Sequence, residues 1–147
     1  MIKKLLSTDG NLSGTILRLA LGCVMLPHGL QKVLGVFGGA GFKATLAGFQ
    51  TAHHLPLYLA LAPILAESIG ALALIAGFFT RIAALAIAVD MGVAVYLVHW
   101  KNGFFMNWHG VQRGEGFEFH ILAIAIGLAL VIKGAGRWSV DRAIAGK

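Results

Sequence analysis

TILRLALGCVMLPHGLQKVLG, residues 15–35, is the stretch on which the fold turns. A helix crossing a hydrocarbon layer about 30 Å thick needs about 20 mostly apolar residues, and this stretch has that length. It also carries Arg18, His28 and Lys32, with Pro27 directly before the histidine, so it is too polar for a simple anchor. At about 100° per residue, Arg18 shares a face with Gly22, Met25, Gly29 and Lys32. That face is polar and broken by small residues, which suits close contact with other helices. Pro27 removes a backbone donor, which frees a carbonyl and turns His28 inward. The helix therefore belongs in a bundle.

The rest of the chain supports a bundle in a bilayer. Its 147 residues are 58% hydrophobic and only 12% charged, about half the charge of a soluble domain. The mean hydropathy is +0.81. Twenty glycines without a triplet period, beside three prolines, exclude collagen and disorder. Further spans are predicted at about residues 55–79, 81–100 and 117–133, with Pro63 and Glu67 in the second, Asp90 in the third, and Glu118 and His120 at the start of the fourth. The predicted fold is an all-α integral membrane four-helix bundle forming a single membrane domain over residues 1–147. The short link at Thr80 and Arg81 makes the second and third spans an antiparallel hairpin. Two longer connections, 36–54 and 101–116, then fall on one side. In the first, Phe42, Leu46 and Phe49 recur at i, i+4 and i+7, the pattern of a short amphipathic helix on the membrane surface. The second carries Phe104, Phe105 and Trp108, as an interfacial aromatic belt does.

The basic residues set the orientation. Lys3, Lys4, Arg81, Lys133, Arg137, Arg142 and Lys147 lie on the side of the termini, against Lys32, Lys43, Lys101 and Arg113 on the side of the long loops. Positive-inside placement puts both termini in the cytoplasm. The net charge of +6 is spread among loops, which argues against nucleic acid as a partner. The single Cys23 excludes a disulfide framework, a CxxC pair and covalently attached c-type haem. The first apolar run lacks a small-residue cleavage site, so insertion is expected to use the helices themselves. The partners expected are the lipid bilayer and, from Gly/Ala-rich faces beyond what four helices need internally, further copies of the chain.

An ionisable side chain at a span's centre costs about 2.5–3.5 kcal/mol on insertion scales. Arg18, Glu67 and Asp90 lie inside three different spans. Glu67 and Asp90 are each roughly 15 Å from the outer ends of their helices and His28 about 10 Å, so the three can meet at similar depth. One reading is a buried polar site of Arg18, His28, Glu67 and Asp90. The other is an ion pair of Arg18 with Glu67 or Asp90 that only fixes helix register. His99, nine residues after Asp90, is expected on the opposite side of the third helix, at the interface beside Trp100. His120 shares a small-residue face with Ala123 and Gly127, while Glu118 suits the dipole of its helix's first turn. His53 and His54 read as a solvated loop pair. No metal site is expected, because a di-metal carboxylate centre needs Glu-x-x-His repeats and the histidine depths do not match for haem.

Several segments together resemble one family. They are RLALGCVMLPHGLQKVLG in the first span, Glu67 with Gly70, the turn GFFTR at residues 77–81, His99, Glu118 and the ending GAGRWSVD. In order and spacing they are similar to the DoxX family of small bacterial membrane proteins, from about Leu12 to Arg142. The resemblance implies four transmembrane helices, a place in the bacterial inner membrane, and a link to respiratory redox chemistry, since the family takes its name from a subunit of an archaeal thiosulfate:quinone oxidoreductase. It singles out Arg18, His28, Gly29, Lys32, Glu67, Gly77, Arg81, His99, Glu118, Ser139 and Asp141; Asp90 has no counterpart in the pattern.

Three functions follow as expectations. The first is a membrane subunit of a quinone-linked oxidoreductase, with His28 and Glu67 as catalytic proton carriers and Arg18, Lys32, Asp90, His99 and His120 as binding residues. A quinone is the cofactor implied; a partner protein must then handle the electrons, because the chain has no cofactor motif of its own. The second is a small-solute transporter using the same polar centre. The third is a scaffold for soluble partners, with purely structural charges.

Overall fold

The computed structural model of the chain describes residues 5–146, and among the described residues all regular structure is helical. Helix α1 (Leu12–Leu34) contains the opening stretch. Asn11 caps it, its side chain accepting a hydrogen bond from Gly14 N at 3.0 Å, and Gly35 ends it at φ 73°. Pro27 lies within α1 and does not end it. Then follow α2 (Phe42–Ala52), α3 (Leu57–Ala76), α4 (Thr80–Asn102), α5 (Glu118–Lys133) and the short α6 (Val140–Ala145).

Three of these, α1, α3 and α4, are long and apolar enough to cross a membrane. The expected fourth span is a helix at the expected place, but α5 has 16 residues and rises about 24 Å, about one turn less than its neighbours. The amphipathic pattern of the first long connection does become a helix, α2, which buries no residue against the others.

Small residues decide how the helices meet. A Cβ on Gly29 would lie 2.6 Å from Ser68 N, so the α1 backbone touches α3 only because this residue is glycine. A Cβ on Gly127 of α5 would lie 3.0 Å from the Ala84 carbonyl oxygen of α4. Around these contacts Leu21, Met25, Leu74, Ile87, Met91 and Leu130 form the core.

Two helices are irregular. Each of α3 and α4 contains one π turn, at Ala66–Gly70 and at Val95–His99. A π turn absorbs one extra residue, about 100° of helix, and so re-aims every side chain beyond it.

The end of the molecule that holds the termini is tied together by polar groups. Gly77 (φ 67°) and Phe79 (φ 45°) turn α3 into α4, and the buried Asp141 carboxylate accepts hydrogen bonds from Phe79 N at 2.7 Å and Thr80 N at 2.9 Å. Ser139 caps α6, its hydroxyl accepting from Arg142 N, as the Ser-x-Asp ending suggests. Arg81 donates to the carbonyls of Val131 and Ile132 in the last turn of α5, where the helix dipole favours a cation.

Candidate functional site

Four helices send polar side chains into one cavity of about 810 Å³ at the other end of the molecule. His28 and Lys32 come from α1, Glu67 from α3, Asp90 and His99 from α4, and His120 from α5. The remaining wall is largely apolar, with Met25, Leu59, Ala62, Val89 and Phe119.

The charged part begins at Gly29. Because this residue lets the α1 backbone lie against Glu67 and Ser68, Lys32, one turn further on, reaches the Glu67 carboxylate and forms an ion pair with it. Glu67 is 6% exposed. Asp90 lies beside Glu67 and within electrostatic reach of Lys32, so one ammonium faces two carboxyl groups. Asp90 Oδ2 is buried and accepts from no donor, while the Asp90 side chain lies within hydrogen-bond reach of the Glu67 carboxyl.

Aromatic rings form the other part. His99 and His120 lie with ring centroids 4.1 Å apart and planes tilted by 41°. His99 Nδ1 is 2.8 Å from the Glu115 carbonyl oxygen, which can only accept, so Nδ1 carries the proton and neutral His99 has its lone pair on Nε2. His120 is 6% exposed and its Nδ1 is buried without a partner. Phe119 joins this group to α1, its ring centroid 5.6 Å from that of His120 and 6.2 Å from that of His28. Among the described residues four buried side-chain atoms lack a donor or acceptor partner: Asp90 Oδ2 and His120 Nδ1 in residues of this cavity, and Thr80 Oγ1 and Arg81 Nε at the opposite end.

Met106 and Glu115 of the loop between α4 and α5 also line the cavity. That loop is fastened by carboxylates. Glu118 accepts from Met106 N at 2.9 Å and from Trp108 Nε1 at 3.3 Å, and Glu115 accepts from Asn107 N at 2.7 Å. Glu118 stands in the first turn of its own helix, as expected, and also holds the loop.

Three expectations need correcting. Arg18 is not part of the polar centre and forms no ion pair with Glu67 or Asp90. It is 2% exposed, and its guanidinium donates to the carbonyls of Leu74 (3.1 Å) and Ile75 in the last turn of α3, and of Ala135 (3.0 Å), Arg137 (3.3 Å) and Trp138 (2.7 Å). A planar fork with five donors can be satisfied by carbonyls alone, and here it is. His99 does not face away from Asp90, since both line the cavity. The π turn at Val95–His99 explains this, because an ideal helix would separate them by about 180° and the extra residue reduces that to about 80°. His53 is half-buried against the cavity rather than solvated. Its place was legible, for Phe42, Leu46, Phe49 and His53 continue one helical stripe at i, i+4, i+7 and i+11. Glu115 and Met106 had no such signal, because they sit in a loop without periodicity.

Among the described residues no group of three or more His, Cys, Asp or Glu side chains is arranged to hold a metal ion. A family model described as DoxX matches residues 14–100, which include every cavity residue named above on α1, α3 and α4. Comparison with curated proteins and with solved structures finds no match.

Proposed function

The chain belongs to the DoxX family, and from that premise we propose that it is a four-span inner-membrane protein whose cavity binds a quinone, as the membrane subunit of a redox complex. In this reading α5 crosses as the fourth span, α2 lies at the outer interface, and both termini are cytoplasmic, following the excess of Lys and Arg on that side. The observation that carries the reading is the set of polar side chains that four helices bring together, His28, Lys32, Glu67, Asp90, His99 and His120, on the wall of a largely apolar cavity.

The residues present fit a quinone. A volume of about 810 Å³ lies within the range of small-molecule sites, about 300–1,000 Å³. The apolar wall accepts a ring, and polar groups on opposite helices can meet two oxygens. A quinone supplies two-electron, two-proton chemistry, the electrons passing to or from a redox protein docked on a membrane face. The protein's own part is to bind and to move protons. Glu67 and Asp90 face one ammonium, so the three side chains form a single charged cluster on the cavity wall. His99 Nε2 offers a lone pair beside His120, and the Glu115 loop joins His99 to the outer surface. His28 and Glu67 keep the proton-carrying roles given them by their positions, with Lys32, Asp90, His99 and His120 as binding residues. The partners this implies are the bilayer, the redox protein and further copies of the chain.

The test is direct. Purified protein in lipid nanodiscs is titrated with a tail-less, water-soluble benzoquinone while unfolding is followed. At a hundred times Kd, binding adds about 2.7 kcal/mol of stability. No stabilisation at any concentration, together with no quinone in an organic extract of the purified protein, contradicts the reading.

A further inference from the structure

The end of the molecule that holds the termini carries a second hollow, of about 480 Å³, lined by Arg137, Trp138, Ser139, Arg142 and Ala143. It is organised around one carbonyl. Gly10 O accepts from Arg137 Nε at 3.0 Å and from Arg142 Nη1 at 3.2 Å, so two guanidinium groups are held side by side. Gly10 has φ 65°, and a Cβ there would lie 2.7 Å from Arg142 Cζ, so only glycine lets the second arginine settle on the backbone. Arg137 is exposed, and its Nη1 and Nη2 have no partner among the described residues. The two acids nearest in sequence are engaged elsewhere: Asp141 accepts from the amides of Phe79 and Thr80, and Asp9 from the backbone and side chain of Asn11. Like charges held together on a neutral carbonyl favour an anion between them.

The surroundings of the pair are apolar and face outward. Trp138 is 77% exposed at φ 50°, a conformation rare for a bulky residue, and the buried Arg18 fixes it by donating from Nη2 to its carbonyl at 2.7 Å. In α6 the inner face is the buried Asp141, while Val140 and Ile144, one turn apart, are exposed. An indole and an apolar helix face around paired arginines make up a membrane interface, where aromatic rings sit at headgroup level and basic groups meet anionic lipid.

We propose that Arg137 and Arg142 hold the phosphate of an anionic phospholipid, with Trp138 and the outer face of α6 against its glycerol and upper acyl chains. A guanidinium fork matches the oxygens of a phosphate and keeps its charge at any working pH. The site is at the opposite end of the molecule from the polar cavity, and it stands or falls independently of what that cavity binds.

Native mass spectrometry of the full chain in detergent tests this, with phosphatidylglycerol and phosphatidylcholine of identical acyl chains supplied in equal amounts. Wild type is expected to retain phosphatidylglycerol selectively. Arg137→Gln is expected to lower the retained glycerol-to-choline ratio about fivefold, the worth of one basic residue at a membrane surface. Arg142→Gln carries the same expectation and serves if loss of the Gly10 contact unfolds the first variant. Lys133→Gln removes the same charge at the same end but outside the hollow, and should leave the ratio unchanged. An equal fall in Lys133→Gln, or no fall in either arginine variant, means that lipid reads only diffuse charge and overturns the site. Absence of any preference in wild type overturns it as well. Excess inorganic phosphate separates lipid from a soluble anion: the bound lipid is expected to stay, and its displacement overturns the lipid assignment. A protein that co-purifies with wild type and is lost from the arginine variants, with the lipid ratio unchanged, means that a protein covers the hollow and contradicts the proposal.

Discussion

The two ends of this molecule both bury charge, and they treat it differently. At the end with the termini, Arg18, Arg81 and Asp141 are each met by backbone groups: the arginines by carbonyls in the last turns of α3 and α5, Asp141 by two amides of the α3–α4 turn. At the other end, Lys32 is shared between two carboxyl groups on a cavity wall, and the rings of His99 and His120 meet on the same wall. Insertion cost alone would call both clusters functional. What separates them is the kind of partner: at one end charge meets the backbone, although Thr80 Oγ1 and Arg81 Nε stay without a partner there, while at the other side-chain charges meet one another on the wall of a cavity.

Substitutions can break or sharpen that contrast. The largest effect is expected at Arg18. Arg18→Ala leaves five carbonyls without their donor and should cost about 3–5 kcal/mol, read as lost resistance to denaturant in detergent. Arg18→Lys should recover only part of this, since one ammonium cannot reach five acceptors. Next comes Asp141→Ala, which frees the amides of Phe79 and Thr80 and should lower stability by about 2 kcal/mol without altering ligand affinity. Glu67→Gln reverses the pattern. Asp90 remains beside Lys32 to balance it, so the fold should lose no more than about 1 kcal/mol, whereas quinone-dependent stabilisation should disappear. The smallest effect is at Trp108→Phe, where one exposed hydrogen bond to Glu118 is lost and the change should stay within about 0.5 kcal/mol.

Much of the fold was legible because it rests on length and periodicity. The helices at Leu12–Leu34 and Glu118–Lys133, the short α2, the Gly77 stop and the Ser139 cap follow from apolar runs, a 3.6-residue period and small capping residues. The site was half legible. Glu67, Asp90 and His28 stood out by cost and depth, and the structure brings them to one cavity. His99 was misplaced because a π turn is a slip in helical phase, set by packing and invisible to a fixed period. Arg18 was misassigned because charge in a sequence suggests an opposite charge, while its actual partners are carbonyls, one of them 117 residues away, with no side-chain signature.

The central claim is that the polar cavity shared by α1, α3, α4 and α5 is a quinone site. Photo-crosslinking with a quinone that bears a photoreactive group on its ring, followed by peptide mapping, tests it most directly. The account predicts label concentrated between Val89 and His99 and around Phe119 and His120, lost with excess unlabelled quinone and in Glu67→Gln. Label spread evenly over lipid-facing residues, undiminished by competitor, would contradict it.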